Sequence, residues 1–364
     1  MLQLDRNTRE SRALGWIRLP LAALIVLLHT AYTEDKTDFG YVLGKCVMSN
    51  IVIIAVPLFF FISGYLFFAK YEKYGMKEYV AMLKKKTFAL LIPYLIWNFI
   101  SYYVYGLRTG FTDEIRPWEL YRIFWCVSDG YTAMSPFGYR FSLLNSPYHG
   151  ALWFVRDLMV VMVCSPVIWW IIRRCKMWSL LIFLIPWVFR IGIPIDGFGY
   201  VAFCFFPLGA AFSICGKNVF RYIDKVGGAI LCVYIGILIL AGYLSYSASY
   251  GRQLGNMLIV IGGMSLLVVA YRFCNGKYSD KIILYGEASF LIYVLHTMFI
   301  FLPLRFVIDP IKEIPYIGNT CAYLSMFSVR VVLCICIYFI WKKYSPRTLS
   351  VASGGRSLIN HKTK

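Results

Sequence analysis

The chain has 364 residues, 60% of them hydrophobic and only 15% charged, with a mean hydropathy of +0.65. Soluble domains are roughly 45–50% apolar and about 25% charged, so this composition excludes an ordinary soluble enzyme. The net charge of +19 comes from 37 Lys and Arg against 18 Asp and Glu; these cations lie in short segments between apolar blocks, where they read as membrane-orientation signals and not as a nucleic-acid face.

A helix that crosses a bilayer needs about 20 apolar residues. Ten blocks approach that length, at 16–32, 46–69, 87–106, 149–173, 177–192, 198–216, 226–246, 255–275, 281–302 and 318–342. The fifth and sixth are short and separated only by "PIDG", so they read equally as one hairpin. The expected fold is an all-α, polytopic membrane helix bundle of about ten transmembrane helices. Lys and Arg concentrate on the segments that face inward if the N-terminus is cytoplasmic, which predicts both termini inside. Residues 1–342 read as one integral-membrane domain, followed by a flexible cytoplasmic tail at 343–364. The first block follows Arg6, Arg9 and Arg12 as a signal peptide would. No small-residue cleavage pattern follows it, so a retained helix is expected.

The long segment 107–148 reads as an outer loop, rich in Trp and Tyr that suit a membrane interface and also stack on sugar rings. The 11 cysteines show no metal-site or disulfide spacing. Cys164, Cys204, Cys232, Cys334 and Cys336 lie in apolar blocks and behave as small hydrophobes.

Within the first block, "RLPLAALIVLLH" places Arg18 eleven residues before His29. At about 100° per residue this is three turns plus about 20°, so both side chains leave one helix face, about 16 Å apart along the axis. Arg18 alone would read as a snorkelling anchor and His29 as an interfacial histidine. An ionisable side chain inside a span is nevertheless a functional candidate. In the ninth block, "SFLIYVLH" aligns Ser289, Tyr293 and His296 on one face. Helix–helix hydrogen bonding is the bland explanation there. Glu287, just before, suits a helix start.

At the fourth block, "HGALWFVRDL" sets His149 at the expected surface, with Arg156 and Asp157 adjacent and on different faces. Arg190 and Arg330 complete the intramembrane charges. Sequence assigns no role to Arg156, Asp157, Arg190 or Arg330. Ser63 and Gly64 in the second block are small enough to let helices approach closely. Phosphate-binding loops, nucleophile elbows and zinc motifs are absent. Carboxylate-pair glycosyl transfer is poorly supported, since only Asp157 and Glu287 lie within spans. The residues alone leave two classes open: an enzyme, or a permease or flippase for a lipid-linked or acidic solute with His29 as proton relay.

Arg18-x10-His29, "FFFISGYLFF", "KKKTFALLIPYL", "LWFVRDL" and "SFLIYVLH", in that order, resemble the acyltransferase-3 family of integral-membrane acyltransferases. The resemblance covers essentially the whole chain. It implies transfer of an acyl group, usually acetyl from acetyl-CoA, to a hydroxyl of a cell-surface or lipid-linked glycan. It also implies a multi-pass protein of the cell membrane, a bacterial inner membrane in most relatives. Metal is not implied. The first-span arginine and histidine carry over to Arg18 and His29. Many members have "WSL" and then an acidic residue where this chain has "WFVRDL", which leaves Asp157 without a role. Some relatives have an added extracytoplasmic domain that this chain lacks.

On that resemblance, coenzyme A phosphates would meet Arg18, Lys84, Lys85 and Lys86 at the cytoplasmic side. His29 would take the proton of the attacking hydroxyl, and Tyr293 or His296 would orient the acceptor or stabilise the oxyanion. An acyl-histidine intermediate on His29 is an open alternative.

Overall fold

The computed structural model describes residues 9–69, 75–109, 120–125, 132–134, 140–142, 146–193, 195–247, 250–298, 301 and 303–355. Among these the chain is helical almost throughout, apart from two three-residue strands, Thr132–Met134 and Arg140–Ser142, paired antiparallel within the expected outer loop. A short helix, Tyr121–Phe124, lies in the same loop; residues 110–119, 126–131, 135–139 and 143–145 lie outside the described residues.

Among the described residues six helices are long and apolar enough to cross a bilayer: Arg9–Leu28, Phe39–Phe68, Met76–Val104, Gly227–Ser247, Arg252–Phe273 and Gly318–Tyr344. Two bent pairs bring the number to eight if each is one span. These are Gly150–Val163 with Ser165–Phe189, bent by 61°, and Ala202–Ile214 with Val219–Lys225, bent by 97°. Among the described residues this gives six to eight helices of spanning length against ten apolar blocks in the sequence, and the reasons are local. Pro166, in the first turn of the helix that starts at Ser165, has no N–H to continue the preceding helix, so the fourth and fifth blocks form one bent path. The ninth block breaks at the 3₁₀ turn Gly286–Ala288, and neither Ser279–Tyr285 nor Ser289–Leu295 is long enough to span alone.

The exterior has the polarity a bilayer demands. On Gly227–Ser247, Val233, Ile235, Ile239, Leu240 and Tyr243 are exposed, while only Gly227, Ala241 and Ser245 are buried. An apolar face of that size is stable only against lipid or protein. This is a multi-pass membrane protein.

The chain folds into two compact units, each assembled from separated segments. One comprises Phe60–Lys217 and the chain from Trp341 onward. There the end of the helix Ala55–Phe68 meets Ala202–Ile214 with no room for a side chain. A Cβ on Gly64 would lie 1.9 Å from the Phe206 carbonyl oxygen, and one on Gly209 would lie 1.9 Å from that of Phe61. Ser213 Oγ donates to the Tyr65 carbonyl at 2.5 Å across the same contact. Of the small pair noted in sequence, Gly64 is the one that sets the approach. In this unit the expected flexible tail is ordered at its start: Pro346–Ala352 is a helix, Leu349 is fully buried, and Trp97 Nε1 donates to the Ala352 carbonyl at 2.9 Å. Residues 356–364 lie outside the described residues.

The second unit comprises the N-terminal segment up to Phe59 and Asn218–Ile340. Gly227–Ser247 and Arg252–Phe273 pack as a hairpin, and the first helix packs against Arg252–Phe273 and Ser279–Tyr285. Arg12 fastens it at that end, donating to Asp280 at 2.7 Å and to Asn275 Oδ1 at 2.8 Å.

Adding a methyl at either glycine of the helix crossing is expected to cost roughly 1–3 kcal/mol, because the opposing atom is backbone and cannot swing aside. Gly64→Ala and Gly209→Ala should each lower the unfolding temperature in detergent. Gly236→Ala, whose added Cβ meets nothing within 4 Å, should leave it unchanged.

Candidate site at the first helix

The first helix turns at Ile17 and restarts as a regular α-helix over Arg18–Leu28, with His29 as its C-cap. Regular geometry keeps Arg18 and His29 on one face, as the spacing predicts. Two other segments of the same unit line this face. At the lower end, the 3₁₀ turn Gly286–Ala288 lies on the helix: a Cβ on Gly286 would sit 3.2 Å from the Gly15 carbonyl oxygen and 3.4 Å from Arg18 Cβ. Ten residues further along that segment, His296 meets His29, with ring centroids 4.9 Å apart and planes tilted by 48°. The first helix advances eleven residues between the same two contacts, so the segments run parallel.

The helix Gly318–Tyr344 runs the other way. Arg330 Nη1 reaches the His29 carbonyl at 3.4 Å, and eight residues later Tyr338 donates its hydroxyl to Glu287 Oε2 at 3.3 Å. Glu287 in turn acts electrostatically on Arg18. The result is a column with Arg18, Glu287 and Tyr338 at one end and His29, His296 and Arg330 at the other.

His296 is buried, whereas the His29 side chain is accessible. The Nδ1 of His296 faces the Tyr293 carbonyl at 2.7 Å and the Ile292 carbonyl at 3.2 Å. Carbonyl oxygens only accept, so Nδ1 carries the proton and the neutral ring keeps its lone pair on Nε2. Tyr293, also buried, lies beside His296 with ring centroids 6.3 Å apart. An accessible imidazole, a second imidazole in a fixed tautomer and a guanidinium can together move a proton and meet developing negative charge.

The acyltransferase-3 family model, described as an acyltransferase domain, matches residues 11–339. The chain belongs to this family. Every residue of the column falls inside the match. A further match is the Succinoglycan biosynthesis protein ExoH of Rhizobium meliloti (strain 1021), 26% identical over 255 residues. The aligned region covers 65% of this chain and 62% of that relative, so it spans less than two thirds of the relative's length. No solved structure matches.

The other candidates of this acyltransferase-family chain lie in the first unit. Lys84, Lys85 and Lys86 end the helix Met76–Lys86, where cations also complement the helix dipole; Lys84 and Lys85 are exposed. Arg156 and Asp157, to which the sequence assigns no role, pair with each other. Arg156 Nε meets Asp157 Oδ1 at 3.1 Å, both side chains are buried, and Arg156 Nη1 donates to the Trp125 carbonyl at 2.6 Å. Side-chain length lets the guanidinium fold back over its neighbour, which helical phase alone does not convey. His149, expected at the surface, is buried, because its backbone N–H is drawn 3.0 Å from Oδ1 of the buried Asn98. Arg190 is the exposed, left-handed C-cap of Ser179–Phe189.

The sequence pattern does not single out Asp38 or Tyr338, and it assigns Glu287 only to a helix start, not to Arg18. Asp38 N-caps the helix Phe39–Tyr41, accepting from Gly40 N–H at 2.6 Å. It also receives Asn319 Nδ2 at 3.0 Å, Asn319 N–H at 3.3 Å and Thr320 Oγ1 at 3.4 Å. It thus ties the loop after His29 to the first turn of the helix that carries Arg330. An Asp followed by "FG" was the available signal for the cap; nothing in sequence points to residue 319.

Burial by itself would raise the Asp38 pKa, but the hydrogen bonds from Gly40, Asn319 and Thr320 outweigh it and hold the carboxyl below the ordinary aspartate value. Its contribution is therefore complete above the unfolded pKa, about 4, and is lost as pH falls through the lower folded value. Asp38→Ala is expected to cost about 1–2 kcal/mol at neutral pH. The stability difference from wild type should shrink in acid, as read by thermal unfolding at pH 7 and below pH 4.

Proposed function

We propose that this chain is a membrane-bound O-acyltransferase. It moves an acyl group, acetyl in the simplest case, from cytoplasmic acyl-CoA to a hydroxyl of a cell-surface or lipid-linked glycan. The observation that carries the reading is the meeting of His29 and His296, inside a chain of an acyltransferase family. The relative concerned with succinoglycan biosynthesis supports a polysaccharide as acceptor.

In this reading both termini are cytoplasmic, and the Arg18 end of the column faces the cytoplasm of a bacterial inner membrane. Arg18 receives coenzyme A phosphates at its end of the column, and the thin pantetheine arm carries the thioester toward His29; Lys84, Lys85 and Lys86, in the other unit, are separate candidates for phosphate. A sugar hydroxyl is a weak nucleophile at neutral pH. His29 takes its proton as the oxygen attacks the thioester carbonyl carbon. The tetrahedral intermediate then expels the thiolate, the C–S bond breaks, and the proton passes from the imidazolium to sulfur. His296, its Nδ1–H anchored on backbone carbonyls, presents Nε2 as an acceptor for a neighbouring hydroxyl of the acceptor sugar, and Tyr293 supports that ring. General-base catalysis of this kind contributes roughly 10²–10⁴-fold.

The test is thioester consumption by purified protein in liposomes, with acetyl-CoA and crude surface glycan. Glycan-stimulated CoA release is expected, falling by at least about 100-fold in His29→Ala. Arg18→Ala should raise the KM for acetyl-CoA. A folded wild-type protein that releases no CoA with any glycan from its host would replace this reading with solute permeation.

A further inference from the structure

The two ends of the column differ in charge compensation. Arg18 faces Glu287, whose carboxylate is also held by Tyr338. Arg330 has no such partner. Among the described residues its guanidinium makes one long hydrogen bond, 3.4 Å to the His29 carbonyl, and its buried Nε meets no acceptor. The charged side chain that does act on it is another cation, Arg305. Arg305 is exposed on the helix Pro303–Ile308. Asp309, one turn on, is already bound to Lys312 at 2.6 Å. The residues just before this helix, Phe299, Ile300 and Leu302, carry no charge.

A guanidinium within a span costs several kcal/mol unless something pairs with it, and a second arginine nearby adds to that cost. Arginine presents five donors in a planar fork that matches a carboxylate or phosphate. Among the described residues four of those donors have no protein partner, beside the accessible imidazole on which the proposed chemistry depends. A single oxyanion formed in passing would occupy one or two donors; a pair of arginines suits an anion that persists in the bound substrate.

We propose that Arg330, with Arg305, forms a subsite for an anionic group, carboxylate or phosphate, carried by the substrate next to the reacting centre. The inference rests on the acyltransferase reading for what that substrate is, and not for the presence of the subsite. The anion has two possible sources: the acceptor, as a uronate or a sugar phosphate, or the acyl group, as the free end of a dicarboxylic thioester.

Binding to the full-length protein in neutral detergent separates them without turnover. One pair of probes is a glucuronic-acid oligosaccharide and its carboxyl-reduced counterpart. The other is succinyl-CoA and acetyl-CoA, which share the coenzyme phosphates. Wild type is expected to prefer the charged member of one pair by at least about tenfold, as befits a charge-assisted hydrogen bond. The pair that shows the preference identifies the source. Arg330→Gln should abolish the preference while leaving the neutral probe's affinity in place, and Arg330→Lys should keep part of it. Arg305→Gln, at an exposed position, should reduce it.

No preference in either pair, or a preference untouched by Arg330→Gln and Arg305→Gln, overturns the subsite. A charge preference without any thioester consumption would keep the subsite and remove the acyltransferase reading. Acetyl transfer to a neutral acceptor with no charge preference would do the reverse.

Discussion

The missing side chain at position 286 is the constraint on which the column depends. Gly286 lets a 3₁₀ turn lie directly on the first helix at Gly15 and Arg18. That contact sets the register of everything beyond it. Ten residues on one segment and eleven on the other then bring His296 to His29, because two parallel helical segments advance at about the same rate. A Cβ at 286 would sit 3.2 Å from the Gly15 carbonyl oxygen, so one of the two segments would have to give by a few tenths of an ångström at this crossing. The break in the ninth block, which shortens it below a full span, is the same feature seen from the side of helix length.

Charge is distributed along the column unequally. Its Arg18 end holds a cation, a carboxylate and a phenol that answer one another. Its His29 end holds two imidazoles and a cation whose donors are mostly unspent. In a low-dielectric interior such an imbalance is tolerated where a ligand completes it. Asp38 binds the loop after His29 to the start of the antiparallel helix, so the segments that carry the histidine and Arg330 are also tied together beyond that end of the column. Polar groups here do positioning work that apolar packing cannot, since an apolar contact has little directional preference.

The other unit relies on different means. Reciprocal glycine contacts at Gly64 and Gly209 bring two backbones together, and in a membrane such close packing replaces the hydrophobic drive that lipid removes. Arg156 and Asp157 neutralise each other under Trp125. Each buried charge there has an answer inside the protein, in contrast to Arg330.

Much of this was legible in the sequence. Apolar block length and the placement of cations determined a helical, multi-pass membrane protein, because a bilayer leaves few other ways to satisfy the backbone. The Arg18–His29 phase followed from helical periodicity alone, and the ordered motifs carried the family. What the linear pattern could not contain is which helix faces which. Hydropathy counted ten blocks, but the bends at Ser165 and Gly286 reflect hydrogen bonding and packing that window averages smooth over. The His29–His296 contact and the pairing of Arg18 with Glu287 each join residues more than 260 positions apart. Only the tertiary structure decides such pairings, because they depend on helix register and on the size of the side chain at each crossing, and local sequence encodes neither.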